Sequence, residues 1–131
     1  MTRVAAYARV GPAGHRGRAP LARQHARLAR GVATWPGAAH VCAYADVGPA
    51  EPLGRPGLVR LLADAERGRF EVVVVAGIDR FSPNPEHARA IASRLASSGV
   101  GVVALAGVGR GRVAAAATAA GLVELARLLG G

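Results

Sequence analysis

Val72-Val73-Val74-Val75-Ala76-Gly77-Ile78-Asp79-Arg80-Phe81-Ser82 is the stretch that decides the fold. Its valines do not alternate with polar residues, so the strand they form is buried on both faces. That is the pattern of a parallel sheet covered by helices on each side. The spacing predicts this strand over 71–78. Upstream of it, strand-like runs at 3–10 and 40–45 alternate with helix-like runs at 20–33 and 56–67. Downstream, a helix is predicted over 85–98, a strand over 100–105, and an Ala/Leu-rich helix over 113–129. Pro20 suits the first turn of its helix, and Gly68 and Gly99 stand where helices should stop. Repeated strand–helix units with short connections predict an α/β fold. The expectation is one three-layer domain over 1–131, with a mainly parallel sheet of four or more strands.

At 131 residues the chain can bury a proper core. Hydrophobic residues are 51% and aromatic ones 4%, so Ala, Val and Leu must fill it. No apolar run reaches the roughly 18–20 residues of a membrane span. Arg3 and Arg9 interrupt the early apolar stretch, so no signal peptide is read. One cysteine, Cys42, rules out an internal disulfide framework and fits a reducing cytoplasm. A cytoplasmic location without membrane contact is expected.

The net charge is +9, and all 17 basic residues are arginine. Absence of lysine points partly to coding bias. The distribution says more: residues 1–45 hold seven arginines and no acid, whereas 46–131 hold ten arginines and eight acids. Such asymmetry is the footprint of polyanion binding. Arg16 and Arg18 sit on a Gly/Pro-rich loop. Arg23, Arg27 and Arg30 recur at i, i+4, i+7 and form one stripe of the helix that follows. These five are the candidate secondary DNA contacts; a solvated helix face is the bland alternative.

Two strand ends carry the sharper candidates. Arg9 closes the first strand, just before Gly11. Asp79 and Arg80 follow the valine strand. In parallel α/β folds such ends lie together at the carboxyl edge of the sheet, where ligands bind. Guanidiniums there suit a phosphodiester, with Asp79 to pair with or orient one of them. The four histidines show no ligand spacing, so no metal is expected. Ser82 is the hydroxyl nearest this edge, and turning the loop or capping the next helix is its expected work.

Taken in order, Tyr7-Ala8-Arg9-Val10, Leu21-Ala22-Arg23-Gln24, Asp46-x-Gly48, Arg55-Pro56-Gly57-Leu58, Gly68-Arg69-Phe70-Glu71-Val72-Val73-Val74 and Ile78-Asp79-Arg80-Phe81-Ser82 resemble the catalytic domain of serine recombinases, the resolvase/invertase family. The resemblance covers about 3–105. It implies a resolvase/flavodoxin-like fold and DNA cleavage by a serine hydroxyl that attacks a backbone phosphate. It also implies arginines that neutralise the developing charge, no metal or cofactor, and dimerisation through a long helix. Carried over by position, Arg9, Arg55 and Arg80 would hold phosphate and Asp79 would orient them.

The departures are as informative. Where the family has its serine after Tyr-x-Arg-Val, this chain has Gly11. Pro83 stands where a further arginine is common. The loop Asp46-Val47-Gly48-Pro49-Ala50-Glu51 lacks its serine, and Gly107-Val108-Gly109-Arg110-Gly111-Arg112 replaces an acidic segment. No separate DNA-reading domain is expected. The expectation is therefore a catalytically inactive relative, a DNA-associated or regulatory module with weak, non-specific DNA affinity, and a homodimer. Alternatives stay open. One is a protein-interaction module pairing with itself or with an intact recombinase. Another is an active recombinase using another nucleophile. A third is a nucleotide-binding α/β protein resting on the glycine loop, whose third glycine comes one residue too early for a dinucleotide fingerprint.

Overall fold

A computed structural model of the protein describes residues 2–11, 18–48 and 55–105, and the backbone of a short strand at 113–115. Five strands form one sheet in the order β2-β1-β3-β4-β5. In chain order the elements are β1 (Thr2–Val10), α1 (Arg18–Ala33), β2 (Ala38–Val47), α2 (Pro56–Glu66), β3 (Val72–Val75), α3 (Pro85–Ser97), β4 (Gly101–Ala104) and β5 (Val113–Ala115). Strands β1 to β4 pair in parallel, and β5 runs antiparallel to β4.

The strands sort their side chains by parity. Ala5, Tyr7, Val73 and Val75 face one side, where Leu58, Leu61 and Leu95 of α2 and α3 close a core. Val4, Ala6, Ala8, Val72 and Val74 face the other, where Leu28 and Val32 of α1 close a second. That is why the valine run needs no polar alternation: both faces are covered. The three-layer α/β architecture and the largely parallel sheet are as the sequence predicts. Gly68 and Gly99, at φ of 72° and 78°, take the left-handed conformation just beyond α2 and α3.

Two elements differ from expectation. The strand expected over 71–78 ends at Val75, and Ile78–Arg80 forms a 3₁₀ turn. The turn presents the successive carbonyls of Asp79, Arg80 and Phe81 to guanidiniums from β1 and the start of α2. Those charge-assisted bonds favour the turn over a longer strand. The helix expected over 113–129 begins instead as β5, with Val102 opposite Ala115 and Val103 opposite Val113. Pairing satisfies the open edge of β4, a tertiary gain that overrides the helix preference of alanine. The rest of that expected helix, and the glycine loop 107–112, lie outside the described residues. Among the described residues, no helix is long and apolar enough to cross a membrane.

Candidate anion site at the carboxyl edge

Arg9, Arg55 and Arg80 reach the carboxyl edge of the sheet from three different elements, and backbone carbonyls hold them there. Arg9 uses three nitrogens. Its Nε donates to the Arg80 carbonyl at 3.0 Å, one terminal nitrogen to that of Gly48 at 3.2 Å, and the other to that of Asp79 at 3.2 Å. Arg80 returns the contact by donating to the Arg9 carbonyl at 3.0 Å. Arg55, 3% exposed, donates to the carbonyls of Phe81 and Arg80 and to the Tyr7 hydroxyl.

Carbonyls orient a guanidinium without neutralising it. Among the described residues, no carboxylate forms an ion pair with Arg9 or Arg80. Burial pushes the Arg9 pKa below its ordinary value, and repulsion from Arg55 and Arg80 adds to the shift, while Tyr7 and, least, the Asp79 carboxylate oppose it. The edge is a crowd of like charges fixed in place. Asp79 joins it through its carbonyl; its exposed carboxylate forms no ion pair with a described residue and acts on Arg9 only weakly, from a distance.

The buried carboxylate belongs to Asp46, at the end of β2 and in register with Arg9. It accepts from the Tyr7 hydroxyl at 2.8 Å and from the Gly57 and Leu58 amides at 2.8 and 2.9 Å. The two amides open α2, so a negative charge sits where the helix dipole favours it. Gly57 permits this close approach: a Cβ there would lie 2.3 Å from the Ala45 carbonyl oxygen. The Tyr7 phenol links Arg55 to Asp46, accepting from the first and donating to the second. Burial pushes its pKa well up, Arg55 opposes that and Asp46 supports it, so the phenol stays protonated. Its ring stacks on Phe81 at 5.8 Å, with the Arg55 guanidinium 5.8 Å from its centroid.

Gln24 ties α1 to this edge. Its side-chain oxygen accepts from the Arg9 amide at 3.1 Å, and its nitrogen donates to the Arg9 carbonyl at 3.3 Å. Tyr7, Gln24 and Asp46 lay within the motifs without being assigned roles. A signal existed for each. Tyr7 shares the strand parity of Arg9. Gln24 is a polar residue between Leu21 and Leu28 on a buried helix face. Asp46 directly follows the strand predicted over 40–45, at its carboxyl end.

Gly11 follows β1 directly and is exposed. A Cβ built on it meets no atom of the described residues within 4 Å, and its backbone is not in the left-handed region. Ser82 turns the loop: its hydroxyl accepts from the Asn84 amide at 3.1 Å, while Asn84 caps α3 by accepting from the Glu86 amide at 2.9 Å. Arg23, Arg27 and Arg30 are exposed along α1. Arg18 opens the backbone of α1, its side chain lying outside the described part, and Arg16 lies outside it entirely.

Residues 4–125 match the family described as Resolvase, N terminal domain. Solved structures of similar fold include the C-terminal catalytic domain of ISC1926 TnpA, an IS607-like serine recombinase. It is 23% identical at a TM-score of 0.70, with 79% of this chain and 67% of that one covered. The N-terminal catalytic domain of TP901-1 integrase is also 23% identical at 0.70, with 96% and 90% covered. A resolvase family site-specific recombinase from Streptococcus pneumoniae is 21% identical at 0.69, with 80% and 72% covered. A search of curated proteins finds no match.

Proposed function

This chain belongs to the resolvase N-terminal domain family, and on that premise we propose that it is a DNA-associated module that holds a backbone phosphate without cutting it. One observation carries the reading: Arg9 and Arg80 are fixed by each other's carbonyls, and no described carboxylate forms an ion pair with either. A phosphodiester relieves that repulsion and accepts the remaining N–H groups. Arg55 serves from behind, its charge buried and locked to Tyr7 and the 3₁₀ turn.

Cleavage by the family's route needs a hydroxyl oxygen beside the phosphate. Gly11, at the place the resemblance gives to the nucleophile, has none. The Tyr7 hydroxyl is protonated and committed to Asp46, and the Ser82 hydroxyl is committed to the loop. The protein therefore binds DNA weakly and without sequence preference, in the non-specific range of roughly 10⁻⁴–10⁻⁶ M at physiological salt.

Two measurements test this. Anisotropy titration with unrelated duplexes should give similar affinities that fall steeply with salt; no affinity at low salt overturns the proposal. Incubation with supercoiled plasmid should give no covalent protein–DNA adduct, and an adduct from the natural chain refutes the inactive assignment. Gly11→Ser should fold within about 0.5 kcal/mol of the natural chain, because its Cβ meets no described residue within 4 Å. It should still form no adduct. Pro83 and the altered 46–55 loop leave charge stabilisation incomplete, and each missing donor costs about 3–4 kcal/mol.

A second reading, pairing with another copy of the chain, draws on an apolar groove of about 350 Å³ between α2 and α3. Leu58, Leu62 and Ile91 line it, with Val59 at 62% exposure on its margin. Light scattering that gives a monomer at high protein concentration counts against that pairing.

A further inference from the structure

The arginine stripe of α1 splits in the structure. Arg23 and Arg27 line a groove of about 430 Å³ together with Val10, Gln24 and Arg80. That volume falls within the roughly 300–1,000 Å³ of small-ligand sites. Arg30 does not line it, nor does any acidic residue among those described. The Arg80 side chain belongs to both places: one terminal nitrogen is spent on the Arg9 carbonyl, and the side chain also lines the groove.

Position along α1 is not left to chance. The Gln24 carboxamide pairs with both the amide and the carbonyl of Arg9, as a neighbouring strand would. Gln24 is 8% exposed. Its sequence neighbour Arg23, and Arg27 nearly one turn on, are thereby held in register with the end of β1. Pro83, at the place where the resemblance leads to a further arginine, supplies no charge.

We propose that Arg23 and Arg27, with Arg80, form a second anion seat beside the Arg9–Arg55 cluster, which takes a neighbouring phosphate of the same nucleic-acid strand. The proposal rests on the phosphate reading of the cluster and extends it from one phosphate to two. Gln24 is a positioning residue here: it sets where the α1 guanidiniums stand. The uncompensated charge of the N-terminal third thus acts at one defined place as well as through its long-range field.

An NMR titration separates the two claims. One ligand is a thymidine dinucleotide carrying a 5′-phosphate, hence two phosphates. The other is the same dinucleotide without it, hence one. The natural chain should bind the first tighter by roughly tenfold, the yield of added charge-assisted hydrogen bonds. In Arg23→Gln/Arg27→Gln that gain should vanish while the one-phosphate ligand binds as before. Arg30→Gln should keep the gain. Both substitutions lie at exposed positions, and unchanged circular dichroism confirms the fold. Equal affinity of the natural chain for the two ligands overturns the second seat and leaves the first standing. A gain that survives in the double variant does the same. Failure of the natural chain to bind either ligand overturns both.

Discussion

Arg3 and Arg9 sit at opposite ends of β1, on the same face by parity, and meet opposite fates. At the amino end, Arg3 pairs with the Glu71 carboxylate in a half-exposed ion pair. At the carboxyl end, Arg9 donates to three carbonyls and forms no ion pair with a described carboxylate. One charge is cancelled on the spot and the other is kept. The difference shows how a site separates orientation from neutralisation. Neutral acceptors fix a guanidinium in place and leave its charge for a ligand, whereas a carboxylate spends it.

The largest expected effect is on the frame behind Arg9. Asp46→Ala removes the buried acceptor of the Tyr7 hydroxyl and of two amides at the start of α2. Losing buried partners of that kind should cost about 3–5 kcal/mol, read as a lower urea midpoint. A cost under about 1 kcal/mol would mean that Asp46 is not what holds the cluster together.

Arg9→Gln addresses the kept charge. DNA affinity should fall by roughly tenfold or more, equally across sequences, and the salt slope should flatten by about 0.9. Stability should move by no more than about 1 kcal/mol, since the lost carbonyl contacts are offset by relief from Arg55 and Arg80. Unchanged affinity would show that Arg9 is a structural clip and nothing more.

Arg3→Gln is the matched control. A half-exposed ion pair contributes about 0–1 kcal/mol, so a small shift in urea midpoint is expected with no change in DNA affinity. An affinity loss equal to that of Arg9→Gln would erase the contrast between the two strand ends and leave net charge as the explanation.

The smallest effect concerns His25, on α1 between the two arginines of the groove. Its Nδ1 is buried with no hydrogen-bond partner among the described residues. Burial, then the nearby His40, holds its pKa below the ordinary histidine value. The folded chain thus binds fewer protons there than the unfolded one. The stability it contributes is complete above about pH 6.5 and is lost as pH falls through the folded pKa. Thermal melts at about pH 5 and about pH 7.5 should show a slope with pH that His25→Gln reduces. An identical slope in the variant would place the acid sensitivity elsewhere.

Much of this protein is legible in its sequence because the causes are local. The valine run, helix periodicity, Pro20, Gly68 and Gly99 set the α/β order with little ambiguity. Periodicity marks which faces are apolar, and turn residues mark where elements stop. The ordered motifs mark the family and, with it, Arg55, while Arg9 and Arg80 stand out as charges at the ends of apolar strands.

What those charges touch is decided only by tertiary structure. The resemblance points to Asp79 as the orienting acid; a second, buried carboxylate, Asp46, is brought alongside Arg9 only by the β1–β2 register. The strand beyond Val75 yields to a 3₁₀ turn because distant guanidiniums bind its carbonyls. The segment at Val113–Ala115 pairs with β4 because that edge is open. The α1 stripe divides because Gln24 registers Arg23 and Arg27 against the end of β1 while Arg30 lies beyond. Each outcome depends on a hydrogen bond between groups far apart in the chain. Local propensity and spacing carry no record of such a partner; packing the sheet is what brings it within reach.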